Sequence, residues 1–153
     1  MPTCELAATD TGYQMVSMRL QPVGANWRLH SPIELCQLAE SLLITLEALH
    51  AHGYVHRDIR DDNVLAVSSG WMLIDWELAA PTGTPVFWNS KASPPSISLG
   101  SSWAAQHDLW QLGHLLQKQP VKTPAMDAFA QQLMNGETTS ASDALRASRA
   151  TRF

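Results

Sequence analysis

Three residues have types and spacing that suit chemistry: Asp58, Asn63 and Asp75. Carboxylate and amide oxygens are hard ligands that suit a divalent cation such as Mg2+. A carboxylate beside such an ion can also take a proton. The set therefore fits a metal site with an adjacent general base, which phosphoryl transfer from a nucleotide requires. The run around them is His56-Arg57-Asp58-Ile59-Arg60-Asp61-Asp62-Asn63, and Asp75 follows in Ile74-Asp75-Trp76-Glu77. Asp61 and Asp62 read as solvated loop charges that add negative potential nearby.

The elements that must hold these residues are legible. Val64-Leu65-Ala66-Val67, Ser68-Ser69-Gly70 and Trp71-Met72-Leu73-Ile74 form the pattern of a hairpin with a tight polar turn. Such a hairpin sets Asn63 at the start of one strand and Asp75 at the end of the other, so the two become neighbours. Upstream, Ser31-Pro32-Ile33-Glu34 is a helix start: a side-chain cap, a proline at the first helical position and a glutamate able to complete a capping box. Leu35, Leu38, Leu42, Leu46 and Leu49 then recur at spacings of three and four, and Gly53 is the stop. This helix, over 31–52 and about 30 Å long, carries a core-facing stripe. Tyr54-Val55 forms a short strand leading into the polar run.

Residues 14–20 alternate as a strand does, and 1–13 carry little pattern and are expected to be a loose end. Residues 78–88 and the Ser- and Pro-rich stretch 90–102 read as irregular. Helices are expected over 103–117, with Ser101 and Ser102 as caps, over 126–134 ending at Asn135-Gly136, and over 140–149. The fold class is mainly α with a small β-hairpin.

Composition narrows the function classes. At 153 residues and 45% hydrophobic the chain can bury a core, which excludes a disordered protein. Net charge is −4 and the ten basic residues are scattered, so there is no nucleic-acid face. No apolar run reaches the roughly 20 residues that span a bilayer, and the first ten residues lack the pattern of a signal peptide. An intracellular protein, in cytoplasm or nucleus and with reduced Cys4 and Cys36, is the expectation.

The motifs resemble those of the eukaryotic-type protein kinase superfamily, in its C-terminal lobe. His56-Arg57-Asp58 with Asn63 matches the catalytic-loop pattern H-R-D-x-x-x-x-N. Asp75-Trp76-Glu77 stands in place of D-F-G. Gly83-Thr84-Pro85-Val86-Phe87-Trp88 resembles G-T-P-x-Y-x, and Asp108-Leu109-Trp110-Gln111-Leu112-Gly113 resembles D-x-W-S-x-G. Leu49-His50 with Gly53 is similar to the run before the catalytic loop, and Ser140 to Leu145 to the start of the final helix. The resemblance spans 14–153, with a hinge strand followed by the C-lobe. The His-Arg-Asp-Ile-Arg wording is also similar to divergent fungal and oomycete effector-type kinases.

The resemblance implies roles. Asp58 would accept or orient the hydroxyl proton, and Arg60 would stand near the transferred phosphate. Asn63 and Asp75 would hold Mg2+ on ATP. His56, Arg57 and Asp108 would brace the loop, with Arg57 facing a phosphorylated Thr82 or Thr84. The expected activity is Mg-ATP-dependent transfer to a protein hydroxyl, Ser or Thr before Tyr. A pseudokinase-type scaffold is the alternative.

Departures from the pattern bear on activity. The lysines are Lys91, Lys118 and Lys122, so none precedes the catalytic loop, and no G-x-G-x-x-G occurs. The N-lobe is thus largely absent and ATP binding by this chain alone is expected to be weak. Glu77 replaces a pivot glycine. Asn89-Ser90-Lys91 stands where A-P-E is expected, and Glu137-Thr138-Thr139 lacks the arginine that would pair with its glutamate. The stretch between Gln117 and Met126 is too short for a substrate-docking helix. Trp71, Trp76 and Trp110 are expected in the core. Trp27 and Trp88 are expected to be exposed where a lobe is missing. Such an apolar face would suit a protein partner or a homo-oligomer. A zinc cluster of His50, His52 and His56 is the disfavoured reading.

Overall fold

The computed structural model describes residues 24–88 and 92–150, together with the backbone of Thr3–Ala8, Gln14–Arg19 and Thr151. Two antiparallel strands come first, β1 (Thr3–Ala8) and β2 (Gln14–Arg19), with Thr3 opposite Arg19 and Ala8 opposite Gln14. Residues 3–8 are therefore paired where a loose end over 1–13 was expected. The pattern is weak to the eye because β1 interleaves small and polar residues, yet β2 needs a partner for its backbone groups.

Helix α1 (Pro32–Ala51) is the element the rest packs on. Ser31 Oγ accepts from the Glu34 N–H at 3.2 Å, and Pro32 takes the first turn. Glu34 reaches back one residue further than in a capping box: Oε2 accepts from the His30 N–H at 2.6 Å. Leu35, Leu38, Ala39, Leu42, Leu43 and Leu46 are buried, so the leucine stripe is core, as its spacing implied.

Strand β3 (Tyr54–Val55) pairs with β6 (Ala80–Pro81), and β4 (Val64–Val67) pairs with β5 (Gly70–Leu73). In the β4–β5 hairpin Val67 faces Gly70, so Ser68-Ser69 is the turn. Three helices follow: α2 (Ala105–Gln117), α3 (Pro124–Met134) and α4 (Ala141–Thr151). Ser101 and Ser102 do not cap α2. Its cap is Ala104, whose N–H donates to His107 Nδ1 at 2.8 Å. Helix α3 begins two residues before the expected Met126. Thr123 Oγ1 accepts from the Met126 N–H and Pro124 fits the first helical position. Residues 118–123 alone separate α2 from α3, and they hold no docking helix.

One core cluster joins α1, the hairpin and α2 to α4. Helices α2 and α3 approach closely at Gly113, where a Cβ would sit 2.7 Å from the Ala130 carbonyl oxygen. A smaller cluster of Val55, Val86 and Trp103, flanked by Trp88 and Ile97, lies under the irregular segment. The tryptophans depart from expectation. Trp76 is 43% exposed. Trp27 and Trp88 are half-buried. Trp27 Nε1 donates to Val64 O at 2.9 Å and its ring meets Trp71 edge-on, while Trp88 stacks on Trp103. Trp27 thus places its indole N–H on the hairpin backbone, and each of the two rings packs in part on another tryptophan.

Candidate active site

Asp58, Asn63 and Asp75 come together at one end of the hairpin. Asn63 ends a short 3-10 turn (Asp61–Asn63) and is buried. Both of its amide hydrogens go to Asp58: Nδ2 donates to the Asp58 carbonyl at 2.9 Å and to Asp58 Oδ2 at 2.6 Å. That leaves Asn63 Oδ1 as a carbonyl oxygen of the kind Mg2+ takes. The Ile74 N–H donates to Asn63 O at 2.9 Å, which sets Asp75 one step beyond the paired residue. Asp75 is exposed, in the left-handed region at φ 63, and makes no hydrogen bond or ion pair with a described residue. Short polar residues such as aspartate tolerate that backbone.

Arg60 lies over the base. Its Nε is 3.2 Å from Asp58 Oδ2 and one terminal nitrogen is 3.5 Å from Asp62 Oδ2. Arg60 is half exposed, so the pairing orients more than it stabilises.

Below the loop, Asp108 is fully buried on α2. Its Oδ2 accepts from the His56 N–H at 2.8 Å and contacts His50 Nε2 at 2.9 Å. Its Oδ1 accepts from the Arg57 N–H at 2.9 Å and Trp103 Nε1 at 2.9 Å. A buried carboxylate with this many donors replaces the hydration it gave up. His56 is buried too. Its Nδ1 accepts from the Asp58 N–H at 3.3 Å, so Nε2 carries the proton and donates to Ile74 O at 3.2 Å. Burial pushes the His56 imidazole below its usual value, outweighing the nearby carboxylates of Asp108, Asp58 and Asp75. The neutral ring is thus the one that fits this pattern.

Arg57 also adopts a positive φ, of 74. Its guanidinium reaches the irregular segment. Its partners there are the Leu78 carbonyl, which accepts from Nε, and the rings of Trp88 at 4.6 Å and Phe87 at 5.9 Å. Thr84 Oγ1 donates instead to Pro81 O at 2.6 Å. The segment is held by antiparallel pairing: Gly83 N–H to Trp103 O at 2.8 Å and Val86 N–H to Ser101 O at 3.0 Å. The residues at the A-P-E position, 89–91, lie outside the described residues.

The three histidines weighed as a metal cluster go to different partners: His50 to Asp108, His52 to Ala48 O and His56 to Ile74 O. Among the described residues no group of three or more His, Cys, Asp or Glu is placed to hold a metal. A magnesium ion on Asn63 and Asp75 would complete its shell with phosphate and water oxygens, the usual mode for that ion. Three contributors were missed from the sequence: buried Trp103 and Gln111, and half-buried His50. Gln111 stands at the serine of D-x-W-S-x-G. His50 belongs to the Leu49-His50 run whose position, just before the loop, was the available signal.

This arrangement is that of a protein-kinase-like fold. A solved kinase domain, ROP18 in complex with AMP-PNP and sucrose, superposes with a TM-score of 0.63 at 19% identity, over 78% of this chain and 42% of that one. Among curated proteins, the chain is 30% identical to Crinkler effector protein 8 of Phytophthora infestans, over 86% of its own length. It is 32% identical to the probable serine/threonine-protein kinase fnkB of Dictyostelium discoideum over 56% of its length. It is 34% identical to cyclin-dependent kinase 4 of Mus musculus over 54%. The chain spans 24%, 18% and 29% of these relatives respectively. No protein-family model matches. No helix among the described residues is long and apolar enough to cross a membrane.

Proposed function

We propose that the chain supplies the base-and-metal half of a kinase active site, for phosphoryl transfer from Mg-ATP to a protein hydroxyl, Ser or Thr in preference to Tyr. The observation that carries this reading is the Asp58–Asn63 pair. Asn63 fixes Asp58 through Oδ2, and neither its own Oδ1 nor the Asp75 carboxylate takes a hydrogen bond from a described residue. Asp58 Oδ1, which accepts from no described residue, is the atom for the hydroxyl proton. Arg60 steadies Asp58 and brings positive charge to the transferred group. Asp108, His56 and Arg57 hold the loop from below. Magnesium, if held by Asn63 and Asp75, would supply positive charge against the phosphates.

A second reading is a kinase-derived scaffold, since these 153 residues by themselves hold no lysine ahead of the catalytic loop. Phosphate positioning supplies much of the catalysis in this reaction class. The nucleotide-gripping half would then come from a partner chain or from elsewhere in a longer protein, and this chain alone would be weak or inactive. Thermal unfolding with and without Mg-ATP separates the readings. Nucleotide at about 100 times its dissociation constant adds about 2.7 kcal/mol. A magnesium-dependent rise in Tm is expected for the kinase half; no shift at millimolar nucleotide leaves the scaffold.

A further inference from the structure

Gln111 lies one helical turn past Asp108 on α2 and is 2% exposed. Its amide makes three hydrogen bonds. Oε1 accepts from the Ile59 N–H at 3.0 Å, and Nε2 donates to Arg57 O at 3.1 Å and to Ala92 O at 3.0 Å. Two of these partners flank Asp58. The third belongs to the segment that follows Phe87 and Trp88. Only a side-chain amide offers two donors and an acceptor in one plane. A serine hydroxyl, as in D-x-W-S-x-G, is shorter and has a single hydrogen to donate.

The Arg57 peptide groups need such restraint. Arg57 has a positive φ, which a non-glycine residue holds only when its surroundings over-determine it. Asp108 holds its N–H and Gln111 holds its C=O. Meanwhile the usual tie for the segment's end is missing, because Glu137-Thr138-Thr139 has no arginine to receive a glutamate.

We propose that Gln111 is a positioning residue that fixes the backbone on both sides of Asp58 and ties the segment to it at Ala92, in place of that ion pair. The role given to Asp58 comes from the kinase reading, but the coupling is measurable without turnover.

Hydrogen exchange on the full chain, resolved by NMR, tests it. In the unmodified chain both Gln111 Nε2 protons should exchange at least about tenfold more slowly than those of exposed Gln132, since both are bonded. Gln111→Leu should speed exchange of the Ile59 amide about tenfold. It should do the same to the Ile97 amide, which donates to Pro94 O within the tethered segment. The core amides of Leu42, Leu43 and Leu46 should keep their rates. Gln111→Glu keeps the acceptor for Ile59 but loses both donors, so Ile97 should accelerate while Ile59 holds. Gln111 protons as fast as those of Gln132 would overturn the proposal, even if neither variant folds. So would an unchanged Ile97 in both variants, or equal acceleration at Ile59, Ile97 and the α1 core. An absent Mg-ATP shift would remove the kinase reading and leave these ratios untouched.

Discussion

The two sides of the catalytic loop differ sharply in how they are held. On the α2 side, Asp108 is fully buried with four donors, and Gln111 adds three more bonds. On the hairpin side, Asp75 is exposed and unpaired among the described residues, and Arg60 makes only half-solvated contacts. Asp108 and Gln111 fix the loop from a buried position, whereas Asp75 and Arg60, proposed to meet a nucleotide, are exposed. Disturbing the α2 side should therefore act on stability first, and disturbing Asp75 on the proposed site first.

The largest effect is expected on the buried side. Asp108→Ala leaves the His56 and Arg57 N–H groups, the Trp103 indole and His50 without their acceptor. It should cost about 3–5 kcal/mol in urea unfolding. A loss below about 1 kcal/mol would show that the loop holds itself. Acid should come next. Burial is the largest influence on His56, His107 and His114, and it lowers all three from their ordinary value of 6.5. Each therefore favours the neutral ring in the folded chain, so the unfolded chain binds more protons at mildly acid pH. Their contribution is fully present above pH 6.5 and is lost as pH falls below it. Asp61 acts in the opposite sense, since partial burial raises its carboxyl above 3.8. A Tm that falls from pH 7 to pH 5.5 is expected; a flat profile would count against neutral buried rings. The smallest effect on stability belongs to Asp75→Asn, which should stay within about 0.5 kcal/mol while removing any magnesium-dependent nucleotide shift. A shift that survives this change would take Asp75 out of the metal site.

What the sequence revealed tracks the range of the interactions. Local chemistry was legible: Ser31 and Pro32 at the head of α1, its leucine stripe, and the hairpin that brings Asn63 near Asp75. The start of α3 was equally local, since Thr123 caps it and Pro124 takes its first turn, two residues before the expected Met126. The site's support was not legible by pattern. Asp108 meets His56, Arg57 and His50 across 52, 51 and 58 residues, and Gln111 meets Ile59 across 52. No periodicity encodes such pairs. The motif resemblance pointed to Asp108, but it put a serine where Gln111 stands. Trp88 and Trp27 were misjudged for the same reason, since their partners, Arg57 with Trp103 and Val64 with Trp71, come from distant parts of the chain.

Glu77 carries a consequence for motion. Residues Trp76–Leu78 form a single 3-10 turn, closed by the Ala79 N–H on Trp76 O at 3.0 Å. Trp76 lies edge-on to His56 at 4.7 Å, and Leu78 O accepts from Arg57. A glycine at 77 would let the chain swing about this point, whereas the glutamate does not. Turning Asp75 away would break contacts on both sides of the turn together. A ligand can shift a population only when a second state lies within a few kcal/mol. Moving this joint costs the Trp76–His56 and Arg57–Leu78 contacts together, which favours a mount over a switch.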